Sequence, residues 1–274
     1  MAGPVRRYFD RALAESLAGP FTEWPIILCP VCRAASLEPT IDKFEDIDTL
    51  NMMTVDDPEF DVTSFGGFFH GVISCPRSPC GNKCVVAGRW ELDPLSPPPD
   101  DSMEFYDSEA YTNYYVTYIF PTLRLMEYPV GVPDKIKDPI DAAELVLLSD
   151  ASAAANRIRI AIEALLDCQG VRKCPRNNRS TRLTTHARIG EFQQRNSAAA
   201  SYLMAVKWIG NAGSHDREIV PLVSVLEGFE LFARAVELIY DPHEKALEQR
   251  AAIINRQGRN LRLPKAAKRV SKQV

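Results

Sequence analysis

At 274 residues, with 46% hydrophobic and 25% charged residues, the chain has the composition of a globular protein and room for two domains. No apolar run is long enough to span a membrane, and no apolar h-region follows the basic start Met1-Ala2-Gly3-Pro4-Val5-Arg6-Arg7. A membrane protein and a secretory signal are therefore not expected, and the expected location is the cytoplasm.

In chain order, residues 5–18 read as an amphipathic leader helix with Val5, Phe9, Leu13 and Leu17 on one face, ended by Gly19-Pro20. Next comes Cys29-Pro30-Val31-Cys32. A C-x-x-C knuckle lets two thiolates share one tetrahedral metal. A second, looser pair follows at Cys75 and Cys80, with Cys84 close behind. Five of the seven cysteines fall between Cys29 and Cys84, and in a cytosolic chain such clustering points to metal rather than to disulfides. Cys29, Cys32, Cys75 and Cys80 are the favoured ligands of a structural Zn2+, and Cys84 is the reserve. The alternative is a set of reduced, buried thiols. Cys168 and Cys174 lie apart and read as ordinary thiols.

Between the pairs, Asp42 to Asp61 is acidic and irregular. Residues 65–73 read as a strand entering the second knuckle, with His70 on a strand face, and residues 85–90 as the returning strand. Residues 94–101, rich in proline, break regular structure. Tyr111 to Phe120 has the Tyr, Val and Thr content of a strand. Pro121 ends it, and Pro129, Pro133 and Pro139 mark an extended connector.

From Asp138 the pattern turns helical. Asp138 can cap a helix starting at Pro139, and the apolar positions Leu145, Leu148, Ala151, Ala155, Ile158, Ile162 and Leu165 recur at helical spacing up to Gly170. Residues 171–182 form a basic loop. A second helix is predicted over Leu183 to Gln194 with Ile189 and Phe192 inward, a third from Ala198 through His215, and a fourth after Asp216 to Tyr240 with Leu222, Val225, Phe229, Phe232, Val236 and Ile239 on one face. Such a set makes an antiparallel four-helix bundle.

In the third helix Lys207, Asn211 and His215 are four apart. They share one stripe, while Leu203, Val206 and Ile209 face the core. A Lys, an Asn and a His on one face suit anion binding or acid–base work. The plainer reading is a helix end, with Gly210 and Gly213 marking a C-terminal turn and His215 meeting the macrodipole.

The chain closes on a basic tail. Nine basic and two acidic residues in 244–274 give +7, so the formal net charge of −4 leaves −11 on residues 1–243. An acidic body with a basic tail is a pattern of nucleic-acid-binding proteins, and Arg250, Arg256, Arg259 and Arg262 are candidates for phosphate contacts. The alternative is a solvated extension.

The expected fold class is α+β: a β-rich, zinc-ribbon-like domain over residues 1–134, a helical bundle over 135–243, and a basic extension over 244–274. The helical part resembles the domain-of-unknown-function family 4145, over roughly residues 120–241. The resemblance rests on Arg159-Ile160-Ala161-Ile162-Glu163-Ala164-Leu165-Leu166, on Leu183 with Arg188-Ile189, on Ile209-Gly210-Asn211-Ala212-Gly213-Ser214-His215, and on Leu238-Ile239-Tyr240. That family resembles a branch of the HEPN superfamily of RNA-processing and toxin nucleases, and a cysteine-knuckle region ahead of the bundle is usual in it.

The resemblance implies metal-independent RNA cleavage in a homodimer, as in a phage-defence or toxin system. In it His215 serves as general acid or base, Asn211 orients the phosphate, Lys207 or Arg159 offsets charge, and Glu163 orients a neighbour. The superfamily's active members carry an Arg before the polar residue, where this chain has Gly210. From spacing alone, Arg159 and Glu163 are an i,i+4 ion pair. The implied partners are a second copy, RNA or DNA on the basic loop and tail, and a protein partner in a defence operon. The alternative function is a non-catalytic dimeric scaffold or sensor in which His215 only caps a helix.

Overall fold

The computed structural model describes residues 8–17, 19–45, 66–94, 110–176, 180–215 and 220–258, with the side chains of 17, 41–45, 93–94, 110–111 and 212–215 outside that description. The expectations placed on Val5 and on residues 46–61, 95–101 and 259–274 lie outside the described residues.

The first half is built on a four-stranded antiparallel sheet, β1 (Glu38–Glu45), β2 (Gly66–Ser74), β3 (Lys83–Pro94) and β4 (Ala110–Phe120), in sequential order. β2 shows the period-2 alternation of a sheet with one covered face. Phe69 and Ile73 are buried, while Phe68 and His70 are exposed. The register of β3 on β4 shifts at Ala87/Gly88, a local bulge. β1 corrects the irregular reading of the segment from Asp42, since Asp42–Glu45 pair with His70–Gly67.

The leader helix is shorter than its apolar spacing suggests. Asp10 accepts the Leu13 N–H at 3.0 Å and so caps α1 (Arg11–Leu17). Phe9 precedes the helix and sits in a short antiparallel bridge with Met126.

The helical half holds α2 (Asp134–Val146), α3 (Ala151–Cys168), α4 (Thr185–Gln193), α5 (Ser197–His215), α6 (Leu222–Tyr240) and α7 (Pro242–Gln257). Two expectations are corrected here. Asp138 does not cap the first helix. Pro133 does so from extended backbone, and Pro139 lies inside α2, because burial of Ile136, Ile140 and Ala143 extends the helix one turn earlier. The long first helix is also two helices. Leu147 ends α2, and the Asp150 carboxylate accepts the Ala153 N–H at 2.7 Å to start α3. The architecture is thus α+β with five helices over residues 134–240 where four were expected, followed by α7, among the described residues. Gly210 and Gly213 lie within α5, which runs through to His215, so they mark no helix end before it.

α3, α5 and α6 form the centre of the helical half, with α2 against α3 and α4 against α5. Ile158, Ile162 and Leu165 of α3, Leu203 and Val206 of α5, and Val225, Phe229, Phe232 and Val236 of α6 are buried together. Each such side chain contributes about 1.5–3 kcal/mol by leaving water. The same contiguous core takes in Phe69, Ile73, Val86 and Ile119 of the sheet.

Polar stitches join the two halves. Tyr8 donates its hydroxyl to Asp241 Oδ2 at 2.9 Å, and Asp241 in turn caps α7. Glu144 of α2, also buried, accepts the N–H groups of Leu125 and Met126 at 3.0 and 2.9 Å, fixing the strand-to-helix connector.

Burial pushes the Glu144 carboxyl up to about 8, against the two N–H bonds that favour its charge. The unfolded group titrates near 4.5. Between those values the folded chain holds a proton that the unfolded chain lacks, so this contribution falls as pH rises through the window. Glu144→Gln keeps an acceptor for both N–H groups and removes the titration. The variant is expected to lose this part of the pH dependence and to melt above wild type by a few degrees, roughly 1 kcal/mol, at about pH 9. Parallel melting curves from about pH 5 to about pH 9 would contradict this.

Candidate metal centre and polar cleft

The sulfurs of Cys29, Cys32, Cys75 and Cys80 lie within 4.8 Å of one another. Cys29 and Cys80 Sγ are 3.7 Å apart, and Cys32 and Cys75 Sγ 3.6 Å. Two turns build the cluster. In the first, Arg33 donates its N–H to Cys29 O at 2.9 Å, and Cys29 donates to Ala35 O at 2.9 Å. In the second, the Cys80 and Gly81 N–H groups both reach Arg77 O at 2.9 Å, and Cys75 donates to Asn82 O at 2.8 Å. Each turn places the residue after its second cysteine in the left-handed region, Arg33 at φ 49° and Gly81 at φ 56°. Glycine adopts that backbone without penalty, whereas Arg33 is held there by the turn. The second turn joins β2 to β3, so the cluster sits where β1 begins and β2 ends.

The Ala34 N–H bonds the Cys32 sulfur and lowers that thiol to about 6, while burial pushes the Cys75 thiol up to about 12. Cys84 lies outside the quartet. It is buried in the core, and its sulfur accepts the Asn82 amide at 3.6 Å. Among the remaining thiols, Cys168 is exposed and Cys174 partly so.

The second feature is an open cleft of about 670 Å³ between α3, α4 and α5. Arg159, Glu163 and Asp167 form an i, i+4, i+8 stripe on α3, and Lys207 and Asn211 face them from α5. Lys173, Arg182, Thr184, Thr185, His186 and Arg188 complete the wall. The structure therefore gathers four of the five expected site residues, Arg159, Glu163, Lys207 and Asn211. His215 ends α5 one turn past Asn211, and its side chain lies outside the described residues.

Glu163 does not pair with Arg159. It accepts from the Arg188 guanidinium and from the Thr185 hydroxyl. Arg188 is only 2% exposed, and its other donors reach Asp167 Oδ1 at 2.7 Å, Val171 O at 3.1 Å and Arg172 O at 3.1 Å. Burial works to raise the Asp167 carboxyl, but hydrogen bonds from Lys173 and Arg188 outweigh it and hold it below the usual carboxylate range. The i,i+4 reading of Glu163 fails because its partner lies on another helix. Arg188 is the residue that spacing did not single out for this role.

Both carboxylates are thus engaged. Five cationic side chains face two carboxylates, an excess of three positive charges. Arg159, Arg182 and Lys207 have no carboxylate partner among the described residues. Lys207 is largely buried, with Nζ 3.3 Å above the Trp208 ring. Together these groups can bind a phosphate.

Residues 141–257 match the family model described as "Domain of unknown function (DUF4145)". The match runs from within α2 to the end of α7. It takes in every residue lining the cleft and leaves the cysteine cluster outside. No curated protein and no solved structure matches the chain.

Gly210 has a packing reason. A Cβ there would stand 3.0 Å from Arg159 Cβ and 3.1 Å from Ala155 O, so the glycine lets α5 approach α3 closely. Alanine would bring roughly 1 kcal/mol of helix propensity, which overpacking of about 1–3 kcal/mol exceeds. Gly210→Ala is expected to melt slightly below wild type, and Gly210→Arg well below it, by roughly 3 kcal/mol. A Gly210→Arg variant as stable as wild type would show that the two helices do not meet here.

Proposed function

We propose that this chain is a HEPN-like protein that interacts with nucleic acid, a metal-independent ribonuclease effector of a phage-defence or toxin system, with the α3–α4–α5 cleft as its phosphate site. The observation that carries this reading is the cleft itself: an open, polar concavity in which Arg188 engages the carboxylates and Arg159, Arg182 and Lys207 keep their charge for a ligand. Cations held in place around a phosphate stabilise the charge that builds on it during transfer.

In this reading Asn211 orients the phosphate while Arg159 and Lys207 offset its charge. His215, one turn beyond Asn211, takes the proton of the 2′-hydroxyl or returns one to the leaving oxygen. A homodimer brings two such histidines to one phosphate. The basic stretch from α7 onward, whose helix buries none of its residues, adds sequence-independent attraction to RNA or DNA. One observation favours the alternative of a non-catalytic scaffold that binds a protein partner: Gly210, in the place of the superfamily's Arg, is occupied by helix packing.

Residues 1–134 are, in the same proposal, a zinc-ribbon-like domain carrying one structural Zn2+. Four thiolates bound tetrahedrally at about 2.3 Å lie roughly 3.8 Å apart. The sulfur separations of 3.6 and 3.7 Å fit that geometry. Four protein ligands leave no open position, so the metal would clamp the two turns together and take no part in catalysis.

Elemental analysis of reduced, full-length protein is expected to find one zinc per chain. Cys29→Ser should lose it with a fall in melting temperature, and Cys84→Ser should keep it. Protein free of stoichiometric metal would refute the clamp.

The cleft is tested by RNA binding and cleavage across a salt series. Arg159→Ala with Arg182→Ala should weaken binding and flatten the salt slope by about 0.7 for each phosphate no longer neutralised. His215→Ala and Asn211→Ala should abolish cleavage with melting nearly unchanged, within about 0.5 kcal/mol. Wild-type protein that binds RNA but does not cleave it, with its dimer and any partner present, rejects the nuclease and leaves a non-catalytic role standing. Binding indifferent to Arg159 and Arg182 rejects the cleft.

A further inference from the structure

We infer that the cleft takes a single-stranded nucleic acid, with a nucleobase stacked on Trp208 beside the bound phosphates; the inference rests on the phosphate reading above and adds the strand type and the residue that recognises it.

Trp208 is 57% exposed, on a helix whose Leu203 and Val206 are buried in the core. An indole exposed to that extent leaves a large apolar surface in water. Its position is specific. The ring meets His186 edge-on at 6.1 Å between centroids and 64°, and Lys207 Nζ lies 3.3 Å over it. His186 and Lys207 both line the cleft, so the ring stands at its lip. The Lys207 side chain thus both contacts the indole and lines the cleft.

An apolar protein segment docking on this ring would meet Arg159, Arg182 and Lys207 at its edge and would have to desolvate them. A nucleic-acid strand satisfies both features, with phosphate oxygens for the cations and a π-face for the indole. Duplex bases are stacked on one another and cannot offer that face, so the strand is single. The recognition is tolerant of sequence, because every base has a π-face.

The test uses full-length protein, a labelled single-stranded oligonucleotide and an abasic oligonucleotide with the same number of phosphates. Wild type is expected to bind the base-carrying strand more tightly than the abasic one by about 5- to 100-fold. Trp208→Ala should bind the two equally, and Trp208→Phe should recover part of the preference. The tryptophan fluorescence of wild type should be quenched on binding more strongly than that of Trp208→Phe. Equal binding of both strands by wild type, with its salt dependence intact, overturns the stacking and leaves the phosphate site standing. A preference that survives Trp208→Ala also overturns it. Loss of binding that tracks loss of a dimer on gel filtration assigns Trp208 to a protein contact instead. Failure of wild type to bind either strand at low salt removes the phosphate reading and this inference together.

Discussion

Arg188 is the interaction on which the helical half depends. A guanidinium removed from water is tolerated only when its donors are satisfied and its charge is met. Glu163 and Asp167 supply the charge, and the carbonyls of Val171 and Arg172 take further donors. One side chain thereby ties α4, α3 and the loop between them. α4 has only nine residues and few buried apolar positions, so it would be marginal alone. The same network sets the charge of the cleft, because carboxylates held by Arg188 and Lys173 no longer neutralise Arg159, Arg182 and Lys207.

The sheet half depends on a different constraint. Its first cysteine turn leaves apolar side chains in water, with Ile26 and Val31 exposed. What brings residues 29–32 to residues 75–80 is the pairing of β1 with β2, which leaves four sulfurs within 4.8 Å of one another. Cys84, in contrast, acts as a small apolar side chain of the core.

Much of this was legible in the residues, for reasons that can be stated. The cysteine quartet showed itself because knuckle spacing is a local signal. The inward faces of α4 and α6 followed from helical periodicity, and Ile189, Phe192, Val225, Phe229 and Phe232 are buried as that period requires. The break between α2 and α3 escaped because Leu148 and Ala151 keep helical phase across it, and only the Asp150 cap marks it. β1 escaped because it is a charged edge strand, paired on one side only. The partner of Glu163 was illegible because Arg188 lies 25 residues away, whereas spacing pointed to Arg159. Gly210 read as a helix terminator or a missing catalytic cation, and its packing role depends on a helix that sequence could not place against it.

We propose that nucleic acid enters the cleft between α3, α4 and α5. Amide hydrogen exchange of the full chain, with and without a single-stranded RNA, tests this most directly. Slowed exchange is expected at the start of α4, residues 184–188, and along residues 207–211 of α5, with the sheet unchanged. Protection confined to the sheet face or to α7, with the cleft segments exchanging as in free protein, would contradict it.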